Sequence, residues 1–269
     1  MLSIYDWFGW HDLPVKERYR LIKDAGFDGV LMWWSEFFGR GEDYRHASEI
    51  ARRAGLFIEN IHAPTMTADG IRFDEHLWLG DEKGDVAIEC YLQCISDCAE
   101  FEIPTMVIHL PSDRVMHTPL GLVRMEKIAE KAERLGVNVA LENIANLNNL
   151  TYMLEKIKSP RVGFCYDVAH HERIYPEVDV LGMFSERMMA LHLHDNFDRT
   201  THRLPFDGTI DWSRAMKRIV DTEYTGAIAL KPTNLGIYDH LSVTEFLHTA
   251  FDGAKKLEEL VKNYKKGDA

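Results

Sequence analysis

Residues 119–143, PLGLVRMEKIAEKAERLGVNVALEN, contain one full helix-to-strand unit. From Pro119 to Leu135 the apolar residues recur at three- and four-residue spacing, the period of a helix that buries one face. Leu135-Gly136-Val137 then stops the helix, because glycine adopts the left-handed conformation that a C-terminal cap requires. The run that follows, NVALEN from Asn138, is short and largely apolar, as a buried parallel strand should be, and it closes on an acid, Glu142.

The same unit recurs along the chain. Ala25-Gly26-Phe27 and Ala54-Gly55-Leu56 repeat the turn, and short runs rich in β-branched and aromatic residues predict seven more strands. They are LSIYDW (from Leu2), GVLMWW (from Gly29), FIENIHAP (from Phe57), TMVIHL (from Thr105), VGFCYD (from Val162), MALHLHD (from Met189) and AIALKP (from Ala227). Eight strands separated by amphipathic stretches predict one (β/α)₈ TIM barrel in a single domain spanning residues 1–269. No Gly/Ser/Pro-rich linker divides the chain, and the lysine-rich KNYKKGDA at its end reads as a fraying terminus.

Composition narrows the partners. With 46% hydrophobic residues, 269 residues can bury a large core, while a net charge of −12 without a basic patch argues against nucleic acid. No apolar run approaches a membrane span and the first residues lack a signal-peptide pattern, so a cytoplasmic location is expected. Cys90, Cys94 and Cys98 fall at helical spacing and read as small buried side chains on one helix face.

A barrel of this type builds its active site where the strands end. Here the ends are polar: His62 in IHAP, His109 in VIHL, Glu142 in ALEN, and Asp167 followed by His170 in CYDVAH. Strand seven adds His192, His194 and Asp195, and strand eight closes on Lys231. Buried at one mouth, Glu142 and Asp167 would repel each other and lose hydration unless a cation joined them, and imidazole with carboxylate suits Zn²⁺ or Mn²⁺. The segment Asp198–Asp211, DRTTHRLPFDGTID, reads as a loop able to carry His202 over the same mouth. Trp7, Trp33, Trp34 and Phe206 are candidates to pack on the apolar face of a sugar, with Glu36 and His194 as further substrate-binding candidates.

The segments GFDGVLMW, IHAP, VIHL, ALEN, CYDVAH, LHLHDN and HRLPFDGTIDW, in this order, resemble the xylose isomerase-like TIM barrels, which include sugar epimerases and endonuclease IV. The resemblance implies a metal-dependent isomerase or epimerase of a sugar or sugar phosphate. It implies that Glu142, Asp167 and His192 are metal ligands, or that His62 and His109 join Glu142 at one metal while His170 and His202 hold another. Lys231 departs from the pattern, because the family usually has a metal-binding catalytic glutamate there and an ammonium cannot coordinate a cation. Thr200 stands where three-metal members have an aspartate, and Phe206 where the loop usually has glycine.

Two arrangements follow for Lys231. Either a metal binds through His62, His109 and Glu142 with Lys231 paired to Asp167 and serving with Glu142 in catalysis, or Lys231 takes the cation's place between Glu142 and Asp167. The first gives an isomerase, epimerase or related dehydratase; the second gives a sugar-binding barrel or altered chemistry. A phosphodiester hydrolase of the endonuclease type is the third reading, and the acidic charge opposes it. The expected partner is a small carbohydrate, and a homo-oligomer is compatible with the fold.

Overall fold

The computed structural model describes all residues except 10, 12, 36–43, 68, 69, 71, 199, 268 and 269. Eight parallel strands form the barrel: β1 (Leu2–Tyr5), β2 (Gly29–Trp33), β3 (Phe57–His62), β4 (Thr105–His109), β5 (Asn138–Glu142), β6 (Val162–Asp167), β7 (Met188–His192) and β10 (Ile228–Leu230). The sheet runs β10-β1-β2-β3-β4-β5-β6-β7. Its ends meet through a bridge from Leu193 to Leu230, where the Leu193 N–H donates to Ala229 O (2.9 Å) and the Lys231 N–H to Leu193 O (2.8 Å). Each predicted strand is present, shortened by a residue or more at one or both ends for most of them.

The turns behave as their glycines require. Gly26, Gly55 and Gly136 all have positive φ, and Gly136 (72°) caps the helix Pro119–Leu135, which starts with Thr118 accepting from the Gly121 N–H. Side chains alternate across each strand. On β5, Val139 and Leu141 join the large core beneath the helices, whereas Ala140 packs inside the barrel with Val107, Cys165 and Ala190. This small-residue layer closes the barrel interior. The next inward position on each strand, two residues later, forms the floor above it.

Two stretches differ from expectation. Part of the predicted loop after strand seven is an antiparallel pair, β8 (Asp195–Phe197) with β9 (Thr200–Arg203). The C-terminal lysines continue the helix Val243–Gly267, and the Tyr264 hydroxyl ties that helix to Ser213 O at 3.1 Å. Cys94 and Cys98 are buried and Cys90 partly so on the helix Glu82–Glu100, all as free thiols packed in the core. Among the described residues no helix is long and apolar enough to cross a membrane.

Candidate active site

Strand register assembles the floor. His109 lies beside Glu142 and Asp167 beside His192, so side chains from neighbouring strands meet at one height. Glu142, Asp167 and His192 are fully buried, and above them opens a cavity of about 650 Å³ lined by Trp7, Trp33, His62, His109, His170 and His202 among others.

Hydrogen bonds fix which imidazole nitrogens offer lone pairs. The His62 Nδ1 faces Ala63 O at 2.9 Å, and a carbonyl only accepts, so Nδ1 carries the proton and Nε2 offers a lone pair. The His109 Nδ1 has no hydrogen-bond partner among the described residues and lies 3.5 Å from the Asp74 carboxylate, whose charge draws the imidazole's proton to that side. The two Nε2 atoms lie 3.1 Å apart, each 3.4 Å from Glu142 Oε2. Three acceptors so close repel one another unless a proton or a cation joins them. Without an ion the proton falls on His109: burial opposes its charge, but Asp74 and Glu142 outweigh burial and push it up to about 9. Burial, with Lys231, pushes His62 down to about 4.

Lys231 sits on the other side of Glu142. Its Nζ donates to Oε1 at 2.8 Å, lies 3.2 Å from Oε2, and meets the His192 Nδ1 lone pair at 3.2 Å. Burial works against its charge, yet Glu142 and Asp167 hold its pKa above the ordinary lysine value. For Glu142 burial acts upward, and Lys231, His192 and His109 together bring it well below the carboxylate range. Of the two arrangements open from sequence, pairing of Lys231 with Asp167 is therefore replaced by pairing with Glu142. His192, expected as a ligand, has its Nδ1 against Lys231 (3.2 Å) and Glu142 Oε2 (3.3 Å), while its Nε2 has no hydrogen-bond partner among the described residues.

Asp167 is held independently. Its Oδ1 caps the helix Val168–Ile174 through the His170 N–H (2.9 Å), and its Oδ2 accepts from His194 Nε2 (2.9 Å). The His194 Nδ1 in turn accepts from the His202 N–H (2.9 Å), so His194 has no lone pair left. Asp167, His170 and His194 lie within 4.8 Å of one another, but this tautomer makes His194 an orienting group for Asp167. Fully buried, His194 does not reach the cavity, which corrects its expected substrate contact. His170 and His202 do line the cavity. The His202 Nδ1 donates to Lys231 O at 3.0 Å, leaving its Nε2 lone pair available.

The aromatic candidates divide. Trp7 and Trp33 line the cavity edge to face, with ring centroids 5.0 Å apart. Trp34, one residue on, points the opposite way; it is fully buried behind the barrel and its indole N–H binds Asp97 at 2.9 Å. Phe206 also lies away from the cavity, 43% exposed against Trp212 and Lys256. Its φ of 69° explains why glycine suits that position. Glu36 falls outside the described residues.

Asp195 organises the loop. Its Oδ1 accepts from the Asn196 and Ile210 N–H groups (2.8 and 3.1 Å), its Oδ2 from the Phe206 N–H and Trp212 Nε1 (3.1 and 2.7 Å). Sequence reading missed Asp74, which closes no strand and is held behind His109 by Arg72 (2.6 Å). It also missed Asn143, which brackets Asp167 by donating to its carbonyl and accepting from its N–H.

The xylose isomerase-like TIM barrel family model matches residues 19–245. The chain belongs to this family. Among its relatives, the uncharacterized protein y4fM of Sinorhizobium fredii is 26% identical over 94% of this chain and 91% of its own length. Fructoselysine 3-epimerase of Escherichia coli O157:H7 is 21% identical over 81% of this chain and 85% of its own. Among solved structures, a D-tagatose 3-epimerase-like protein superposes with a TM-score of 0.78 at 16% identity, covering all of both chains. The IOLI protein, solved with a bound zinc atom, superposes at 0.72 with 14% identity over 98% of this chain and 99% of its own. At such identities the structural likeness speaks for the fold. For the family's divalent ion, His62, His109 and Glu142 offer a fitting donor set, whereas Glu142, Asp167 and His192 do not, because Lys231 stands among them.

Proposed function

We propose that this protein is an isomerase or epimerase of a small sugar or sugar phosphate, working by proton transfer next to a carbonyl with one divalent ion, Zn²⁺ or Mn²⁺, held by His62, His109 and Glu142. The observation that carries this reading is the meeting of three candidate donor atoms, His62 Nε2 with its tautomer set by Ala63 O, His109 Nε2 with the Asp74 charge behind its ring, and Glu142 Oε2, at the floor of a cavity large enough for a sugar. Similarity to sugar 3-epimerases supports it. When bound, the ion supplies Lewis-acid polarisation of a substrate oxygen.

The chain's own residues do the rest. The Trp7 and Trp33 rings offer an apolar wall to the C–H face of a sugar, and His202, with its free Nε2, accepts from a hydroxyl. Glu142 and Lys231 form the proposed catalytic pair. Glu142, held ionised in the free protein, takes the proton as the carbon–hydrogen bond opens and returns it to form the product, and the neighbouring ammonium offsets the negative charge left on the substrate.

The test is turnover by the purified protein on ketoses, inososes and sugar phosphates with Mn²⁺, Co²⁺ or Zn²⁺ added singly. We expect activity with at least one pair and its loss, by about 100-fold or more, in Glu142→Gln. Absence of turnover under every combination defeats the proposal. A second reading, a sugar-binding barrel that works without the ion, is favoured by Lys231 lying against Glu142. It predicts thermal stabilisation by sugars in the presence of EDTA.

A further inference from the structure

Lys231 lies just past β10 and is 4% exposed. Its backbone is fixed on both sides, the N–H by Leu193 O (2.8 Å) and the carbonyl by His202 Nδ1 (3.0 Å). The ammonium has three protons and three acceptors around it: Glu142 Oε1 (2.8 Å), Glu142 Oε2 (3.2 Å) and His192 Nδ1 (3.2 Å). These contacts tie the ammonium to Glu142 and His192. Lys231, which borders the cavity, therefore acts as a positive charge and as an occupant of space at its floor.

The place it occupies has a particular chemistry. Two fully buried carboxylates, Glu142 and Asp167, and the imidazole of His192 converge there. Without a counter-charge such a pair bears a large desolvation cost and mutual repulsion. A divalent ion or an ammonium relieves both, but the two exclude each other, since the lysine Nζ already stands against Glu142 Oε1 and His192 Nδ1. The His62 and His109 Nε2 atoms meet Glu142 Oε2 at 3.4 Å each, whereas the ammonium's shortest contact is with the other oxygen, Oε1, at 2.8 Å.

We propose that Lys231 is a resident cation that replaces a divalent ion at the inner position of this site, so that the chain takes up at most one ion, through His62, His109 and Glu142. The outer ion is part of the function proposed above; the inner replacement deepens that reading and stands or falls on separate data. Exchanging the lysine for an acid should then open the inner position to a metal, and removing its charge should leave Glu142 unpaired and in need of one.

The experiment compares wild type, Lys231→Glu and Lys231→Met as full-length protein. Each is stripped with EDTA, re-equilibrated with Mn²⁺ or Zn²⁺ and desalted, then read by elemental analysis and by thermal melting with and without metal. We expect no more than one equivalent in wild type and one additional equivalent in Lys231→Glu. Lys231→Met should melt about 5 °C or more below wild type in EDTA and recover part of that loss with metal. Two equivalents in wild type, equal uptake in Lys231→Glu, or a Lys231→Met protein as stable in EDTA as wild type each overturn the proposal. Should neither variant fold, the wild-type stoichiometry decides: two equivalents refute it, one or none supports it. A wild type with no ion and a Lys231→Glu variant with one keeps Lys231 in this role while removing the metal from the proposed function.

Discussion

Asp195→Asn should cost far more stability than its distance from the cavity suggests. The carboxylate accepts four hydrogen bonds, two on each oxygen, from Asn196, Ile210, Phe206 and Trp212. An asparagine keeps one accepting oxygen, so whichever way its amide turns, two donors face an NH₂ group instead of an acceptor. At about 1.5–3 kcal/mol for each bond to a charged group, the loss is about 3–6 kcal/mol, a large share of the stability of an ordinary domain. The damage should be felt at the site, because the same loop follows His202, whose Nδ1 is held on Lys231 O. Urea unfolding at neutral pH measures the loss, and amide exchange at Phe206 and Ile210 locates it. The control is Asp198→Asn, an exposed turn position with φ of 54° that asparagine tolerates. A loss below about 1 kcal/mol in Asp195→Asn, or unchanged protection of both amides, would refute the assignment of this carboxylate as the loop's anchor.

Asp74→Asn should weaken divalent-ion binding by about 10–100-fold, measured by chelator competition, because it removes the charge behind His109; unaltered affinity would show that Asp74 does not set that ligand. Trp34→Ala should destabilise by about 3–5 kcal/mol without changing sugar binding relative to the remaining folded protein, whereas Trp33→Ala should weaken sugar binding with the smaller stability cost; calorimetry and melts on the two variants separate the roles. Asp6, buried beneath Trp33 N–H (2.8 Å) and the Tyr19 hydroxyl (2.9 Å), is pushed by burial from 3.8 to about 7. Its folded pKa lies above its unfolded one, so its contribution is full below pH 3.8 and declines as pH rises to about 7. A difference of about three pH units at about 1.4 kcal/mol each gives roughly 4 kcal/mol. Urea melts from pH 4 to 8 should show wild type losing stability relative to Asp6→Asn, whose amide suits the same neighbours, and parallel curves would rule the shift out.

The sequence by itself determined the barrel and the height of its active floor. Helix period, turn glycines and eight apolar runs act over a few residues, and their physics is local. Because alternate strand residues face inward and strand ends gather at one mouth, His62, His109, Glu142, Asp167 and Lys231 were legible as a group. Only tertiary structure decided which partners each of them meets. Trp33 and Trp34 are adjacent in sequence and equal in composition, yet one strand's pleat sends them to opposite sides of the wall. Asp74 reaches His109 from a segment between strands, and Asp195, at a strand end, turns to the loop it holds. The Nδ1 atoms of His192 and His194 face Lys231 and the His202 N–H, partners that no spacing rule places beside them. Ligand capacity belongs to hydrogen-bond tautomers, which depend on atoms within about 3 Å brought from distant parts of the chain.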